Sequence, residues 1–352
     1  MSAGPHIAVV GAGVLGTSIA YHLVQGGARV SLIEAAHPGA GATGGSLAWI
    51  NAHAPVDEGY FRLRVRSIHL WQALARDLPD LPVRFCGGLE WEGSAEEMHS
   101  TAARNTSLGY PSRVIDEAEI AALEPHIAAP PQALLTEMDA LADPDRIAGG
   151  LIDAAALQVQ QAEVTGLRQH AGRVIGVETT AGTVEADHIV IAAGLGSLDL
   201  VAPLGIALPM NGDPGLLIRT QAKDPLTRRL IAAPGAHFWQ MADGRVLVGA
   251  SYAGAEKVKD IDTAAEAICT RLDELFPDAG RFQPESHTYR ARPIAADDRP
   301  ILGALPGVKG LSLAITHSGV TLAPVIGAGL ASEVLTGTPE PDFAPYRAQR
   351  FL

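Results

Sequence analysis

Glycines at 11, 13 and 16 and an acid at 34 are the residues whose spacing most directly implies chemistry in this 352-residue chain. In "GAGVLG", Gly11 permits a tight turn and Gly13 lets a pyrophosphate approach the backbone. Gly16 lets a helix pack closely on the preceding strand. Val14 and Leu15 open that helix, whose free N–H groups and positive end suit phosphate. Glu34 can accept hydrogen bonds from both hydroxyls of a ribose, and its charge repels a 2′-phosphate. A glycine turn with no ligand is the alternative. The ordered set of strand, turn, helix, strand and acid argues for a dinucleotide instead. The motif alone does not separate NAD from FAD.

These residues need elements to hold them. The apolar run 6–10 reads as a strand buried on both faces. A helix follows over 14–25, with Ile19 and Leu23 on its apolar face. A second strand covers 29–33, and a helix covers about 60–78. Residues 174–179 and 183–186 read as a hairpin, and 187–192 as a strand ending in a small-residue turn. Residues 83–93 and 237–251 read as further strands, the latter a hairpin turning at Ala242, Asp243 and Gly244. Near the end, "THSGVTLAP" joins a strand over 311–315 to a helix lasting to about 335. There Pro324 falls just inside the start, where its missing N–H is tolerated. The backbone N–H groups of that start, with His317 and Ser318, are free to meet a ligand.

Composition narrows the class. Apolar residues make up 47% of the chain, enough for one large core or two domains of a packed α/β protein. The formal charge of −13 argues against nucleic acid or an anionic membrane surface as partner. Cys86 and Cys269 lie far apart without metal-ligand spacing, so neither a disulfide framework nor a metal site is expected, and both read as inert thiols. No basic leader precedes His6, and no run of 18 uninterrupted apolar residues occurs. The expectation is a cytoplasmic protein with no membrane insertion.

A second glycine-rich loop, "HPGAGATGGSLAWINAH", follows the second strand and favours a flavin dinucleotide, which needs further contacts along its pyrophosphate and ribityl chain. With "GAGVLGTSIAYHL", "GATGGS", "HIVIAAGLGS", "RPIAADDRPILG" and "HSGVTLAP" in this order, the chain resembles the FAD-dependent D-amino-acid oxidase superfamily, with its glycine oxidases, sarcosine oxidases and amino-acid dehydrogenases. The resemblance covers essentially the whole length. It implies an α/β fold: a Rossmann-like FAD-binding domain with an interleaved mixed-sheet α+β substrate domain. The FAD-binding domain would comprise 1–80, 143–204 and 291–352, and the substrate-binding domain 81–142 and 205–290. Carried over residue by residue, Gly11, Gly13 and Gly16 hold the pyrophosphate and Glu34 the adenosine ribose. Thr43, Gly44, Gly45 and Ser46 run towards the flavin. Val164 contacts the adenine, Ala193 and Gly194 lie by the ribose, and Gly303, Gly319, Val320 and Thr321 approach the flavin end.

On the substrate side the resemblance makes Arg292 the candidate for the substrate carboxylate, a task for which a forked guanidinium is suited. The alternative is an arginine tied to Asp297 or Asp298, and Arg290 is the second choice. Asp298 replaces the usual glycine of a left-handed turn. Of the twelve histidines, His53 and His317 lie in segments expected near the flavin and are candidates for substrate contact, as is Ser318 beside the latter. Trp239 and Gln240 can line the site, though packing is the better reading for Trp239; Tyr252 is left undecided. No Cys flanks the flavin segments and no His lies within "GATGGS", so FAD is expected to be non-covalent.

The implied reaction is amine oxidation. The α-carbon of an amino acid or N-substituted amino acid gives a hydride to flavin N5, and the imine hydrolyses. The substrate is then a small carboxylated amine, and the electron acceptor is O2 or another carrier. Sarcosine-type relatives often carry a lysine in the C-terminal loop where oxygen reacts; here the last lysine is Lys309. Two alternatives stay open: an FAD-dependent 2-hydroxy-acid dehydrogenase, and an FAD-binding subunit that needs partner subunits of a multi-chain amine dehydrogenase.

Overall fold

In the computed structural model, which describes residues 4–53, 57–249, 258 and 260–352, the run His6–Val10 lies inside a six-stranded sheet. The strand order is Ile301–Ala304, Leu311–Ile315, His188–Ile191, His6–Val10, Arg29–Glu34 and Val159–Gln161. All neighbours are parallel except the edge pair Ile301–Ala304 and Leu311–Ile315. Both faces are buried, which explains the unbroken apolar sequence of the strand. Ile7 and Val9 point into one core, and Ala8 and Val10 into another. The helices Val14–Gln25, Glu58–Asp77 and Gly319–Thr336 build the first core. A three-stranded antiparallel sheet, Val164–His170, Arg173–Thr179 and Gly182–Glu185, covers the second. The hairpin read at 174–186 therefore supplies the middle strand and one edge strand of a three-stranded sheet.

A mixed eight-stranded sheet forms the other layer. Its long pair, Met210–Thr220 and Pro284–Ala295, runs antiparallel and carries Arg290 and Arg292. Alternate residues of this sheet serve different partners. Leu216, Ile218, Phe238 and Val248 face the helix Ile261–Leu275. Leu217, Trp239 and Leu247 face Leu47 of the loop and Trp49 of the short strand Trp49–Ile50. The sheet thus lies over the second glycine-rich loop, and this contact places the candidate site between the two layers.

Several expectations change. The stretch 83–93 is not one strand: Gly87, with φ +74°, separates Val83–Phe85 from Gly88–Glu90, and the two enter different sheets. The hairpin Ala236–Gln240 to Val246–Gly249 forms as read, while Ser251 and Tyr252 lie outside the described residues. Asp298 takes φ +57°, the left-handed turn expected of it. Pro324 is not in the first turn; it sits inside the helix Gly319–Thr336. The same helix is long and apolar enough to cross a membrane by length and composition alone. It is 61% buried within the fold and packs on the helix Val14–Gln25.

Pro324 cannot donate to the carbonyl four residues back, and an interior proline costs a helix about 3 kcal/mol when nothing compensates. Here the helix Glu58–Asp77 compensates. Trp71 Nε1 donates to the freed Val320 carbonyl at 2.9 Å. Ser67 Oγ donates to the Thr321 carbonyl at 2.7 Å and accepts from Val325 N at 3.4 Å. Ser18 of the first helix donates to the Ala323 carbonyl at 2.7 Å. The break is held by side chains from two neighbouring helices, so the N-terminus of this helix has a defined aim.

Candidate active site

A groove of about 600 Å³ runs across the carboxyl ends of the parallel strands. Gly11, Gly13, Val14 and Leu15 line its start, Glu34 and Val164 one end, and Ala193 and Gly194 the facing wall. Thr43, Ser46, Gly319 and Val320 line it further along. Gly11 is required by geometry. A Cβ on Gly11, at φ +99°, would lie 2.6 Å from the Ala192 carbonyl oxygen. Gly16 does not line the groove; a Cβ there would strike the Gly11 carbonyl, which is the close helix–strand packing its position implies.

Side chains pre-organise this groove. Both Glu34 carboxylate oxygens accept backbone N–H groups, from Ala12 at 2.8 Å and Ala36 at 2.9 Å. The acid is thereby fixed at the strand end with lone pairs left over for a ribose. Thr43 Oγ1 accepts from Val14 N at 3.0 Å, tying the second glycine loop to the first helix turn. That tie explains a threonine at this place better than spacing alone. Gly44 lines neither cavity: its N–H donates to the Gly39 carbonyl at 2.8 Å and closes the loop. Gly303 lines neither cavity either. A Cβ there would collide with Arg347, which pairs with Glu333, so its glycine has a packing cause rather than a cofactor one.

A smaller cavity of about 260 Å³ adjoins the groove. The two share Ala42, Ser46, Pro293, His317 and Val320. Its walls come from both layers: Gly45 from the loop, Trp49 and Asn51 from the short strand Trp49–Ile50 and its end, Arg64 from a helix, Gly215, His237 and Arg292 from the sheet, and Ser318 and Thr321 from the C-terminal helix start. Thr321 Oγ1 donates to the Trp49 carbonyl at 3.2 Å and accepts from Asn51 N at 3.3 Å, joining helix to loop. Ser318 is the N-cap residue but makes no side-chain cap, so its hydroxyl is not spent on the helix.

The predicted substrate-side residues divide. Arg292 lines the small cavity, yet its guanidinium pairs with Asp213 across the strand pair, not with Asp297 or Asp298. Asp297 instead pairs with Arg350 at 2.7 Å. Arg290 is exposed and lines neither cavity; its stem lies over Gly45. His317 lines both cavities, and its exposed surface opens into them. Burial beneath the molecular surface, then the charges of Arg292 and Arg64, pushes its pKa down to about 4; solvent in the open cavities moderates this, and the direction leaves the ring neutral at pH 7.

His53 lines neither cavity, contrary to the reading of it as a substrate contact. Its Nδ1 lies 2.9 Å from Glu90 and its Nε2 3.4 Å from Asp139. Burial alone would lower its pKa, but Asp139 and Glu90 outweigh it and raise the ring to about 9. Asp139 also accepts from Trp49 Nε1 at 2.6 Å and from the Tyr110 hydroxyl. The imidazolium therefore stands behind the cavity wall as part of a buried charge network.

Trp239 packs under the sheet and donates from Nε1 to the Leu47 carbonyl at 2.9 Å; Gln240 holds the loop 223–227 and 244 through both ends of its amide. Neither lines a cavity. Cys86 and Cys269 are free and also outside both linings, and burial raises both thiols, Cys269 to about 11. Sequence reasoning missed Trp49, Asn51, Arg64, Asp213 and His237. One of these had a visible signal: Arg64 is a cation on the buried face of its helix, in register with Tyr60, Ile68 and Trp71.

Comparison with known proteins bears on what this geometry serves. A family model described as FAD dependent oxidoreductase, DAO, matches residues 6–333. The chain is 29% identical over 366 residues to the glycine oxidase of Pseudomonas aeruginosa, covering 97% of each. It is 25% identical over 424 residues to the D-amino-acid oxidase of Bradyrhizobium diazoefficiens, covering 100% of both. The crystal structure of glycine oxidase from Geobacillus kaustophilus superposes with a TM-score of 0.84 at 24% identity, over 99% of this chain and 100% of that one. A dinucleotide groove on a parallel sheet, roofed by a mixed sheet, is thus matched from the first strand to the C-terminal helix, and the chain belongs to the DAO family of FAD-dependent oxidoreductases.

Proposed function

We propose that this protein oxidises the C–N bond of an amino acid or N-substituted amino acid in the small cavity. FAD fits the residues present. The groove has a glycine-rich turn where backbone can approach a pyrophosphate, a fixed acid at its ribose end, and a helix start at its far end. Bound there without a covalent link, FAD supplies the two-electron acceptor for the hydride from the substrate α-carbon. The amine nitrogen loses a proton, leaving an imine; water then yields the 2-oxo acid and ammonia or an alkylamine.

The observation that carries the proposal is the junction itself. The small cavity opens on the far end of the groove, and its wall bears guanidinium groups from Arg64 and Arg292. A guanidinium in that wall can bind and orient a carboxylate, and orientation lowers the barrier by removing motions from the reacting pair. His317, held neutral, can accept a hydrogen bond from the substrate amine, with Ser318 beside it, while the amine's proton passes to solvent. The helix start at Gly319–Thr321 adds a positive end to the same junction.

An anaerobic screen of D-, L- and N-alkyl amino acids and 2-hydroxy acids against the holoenzyme tests this. Bleaching of the flavin by one of the amines is expected. Bleaching by hydroxy acids alone reassigns the reaction to alcohol oxidation; bleaching by neither sinks the reading for the isolated chain and points to partner subunits. Reoxidation by air against a dye acceptor then separates oxidase from dehydrogenase. Acid precipitation should release the flavin into the supernatant.

A further inference from the structure

We infer that Arg64, rather than Arg292, is the group that anchors the substrate's carboxylate. This rests on the proposed amine oxidation only in naming the ligand as a carboxylated amine. Arg64 is 7% exposed, projects from the helix Glu58–Asp77 and forms part of the small cavity's wall. Its donors meet only neutral oxygens. Nε donates to the Asn51 carbonyl at 3.1 Å, Nη1 to the His53 carbonyl at 2.6 Å, and Nη2 to the Asn51 side-chain oxygen at 2.8 Å. Among the described residues no carboxylate pairs with it directly.

A buried guanidinium without an acid partner is unusual, because a buried charge is costly unless paired. Asp139 acts on Arg64 through space, but that carboxylate is already engaged by Trp49, Tyr110 and His53. Each terminal nitrogen of Arg64 has two hydrogens and one protein acceptor, so both keep a donor in reserve. The three carbonyl contacts also fix the plane of the fork, which removes the ordering cost of catching a ligand. Arg292 differs in each respect. Its side chain is 32% exposed, and Asp213 already takes its charge. A second carboxylate approaching Arg292 would meet Asp213 as well. Both arginines line the same small cavity as His317, so they face the same space. The difference between them is neutralisation, not reach.

Acetate, a carboxylate with no amine to oxidise, is the probe. It is titrated against the holoenzyme and followed by the change in flavin absorbance. Arg64→Met should weaken acetate binding at least tenfold, Arg64→Lys should weaken it at least threefold, and Arg292→Met should leave it within threefold. FAD occupancy and melting temperature are measured for each variant. If Arg64→Met does not fold, Arg64→Lys, which keeps the charge but not the fork, decides: unchanged acetate binding overturns the assignment. Loss of binding in Arg292→Met with retention in Arg64→Met also overturns it. So does a shift of the flavin reduction potential in Arg64→Met at unchanged acetate affinity, which would mean that the guanidinium serves the cofactor. Wild-type enzyme that binds acetate but is reduced by no amino acid would sink the amine-oxidation reading and leave the anchor standing.

Discussion

At the scale of single residues, the site is decided by which charges are already spoken for. Arg292 carries the sequence signal, yet Asp213 occupies it. Partly exposed pairs of this kind contribute little, about 0–1 kcal/mol. Asp213→Asn should therefore leave stability nearly unchanged while freeing Arg292, and acetate should bind about two- to fivefold tighter. Weaker binding in a titration of that variant would contradict this account of the rim. Gly11 is the opposite case, where backbone rather than charge rules. Its φ of +99° and the Ala192 oxygen 2.6 Å from a notional Cβ leave no room for alanine. Gly11→Ala should cost about 1–3 kcal/mol and shed FAD; thermal melting and flavin content check both.

At the scale of elements, the broken helix matters most. Its amino end meets the junction of the two cavities, and its axis there depends on how the Pro324 break is closed. Trp71 and Ser67 close it from the helix Glu58–Asp77, which also carries Arg64. One helix thus aims another and supplies a wall residue of the cavity. Trp71→Phe would leave the buried Val320 carbonyl without a donor, a loss of about 1–3 kcal/mol. Urea unfolding should show that loss, together with weaker FAD retention. A Trp71→Phe variant with wild-type stability would show that the carbonyl finds another donor. Where the chain departs from the strand reading at 83–93, the cause is likewise local: a left-handed Gly87 turns a continuous pattern into two strands of different sheets.

At the scale of the whole molecule, three half-buried histidines contribute to the dependence of stability on pH. Burial lowers His22 to about 4, and burial followed by the charge of Arg173 lowers His188 to about 4 as well. Protons bind these two more readily in the unfolded chain, so stability falls as pH drops from about 6.5 towards 4, by at most ~3 kcal/mol each. His53 has the opposite sign. Its pKa of about 9 lies above the unfolded value, so its contribution is full below about 6.5 and is lost as pH rises through 9. Melting temperature should peak near neutral pH and decline on both sides. His53→Gln should flatten the alkaline limb and leave the acid limb in place. An alkaline limb unchanged in that variant would remove His53 from this role.

Much of the fold was legible because local chemistry and global position agree there. The Gly11–Gly16 turn, the flanking strands and helix, Glu34 and the GATGGS loop are governed by backbone conformation and by burial on both faces, and both leave marks within a few residues. Family membership follows from the same segments. Contacts between distant segments leave no such mark. Nothing near Arg292 announces Asp213, which reaches it across a strand pair. Nothing near His53 announces Glu90 and Asp139, which turn a candidate ligand contact into an imidazolium behind the wall. Pro324 looked like a helix start because its compensating donors lie on other helices. The sequence by itself determined the cofactor groove, since a dinucleotide is held mostly by backbone. Only the tertiary structure decided which side chains face the small cavity and which of its cations is paired with an acid, because net charge at a site is the sum over residues that only folding brings together.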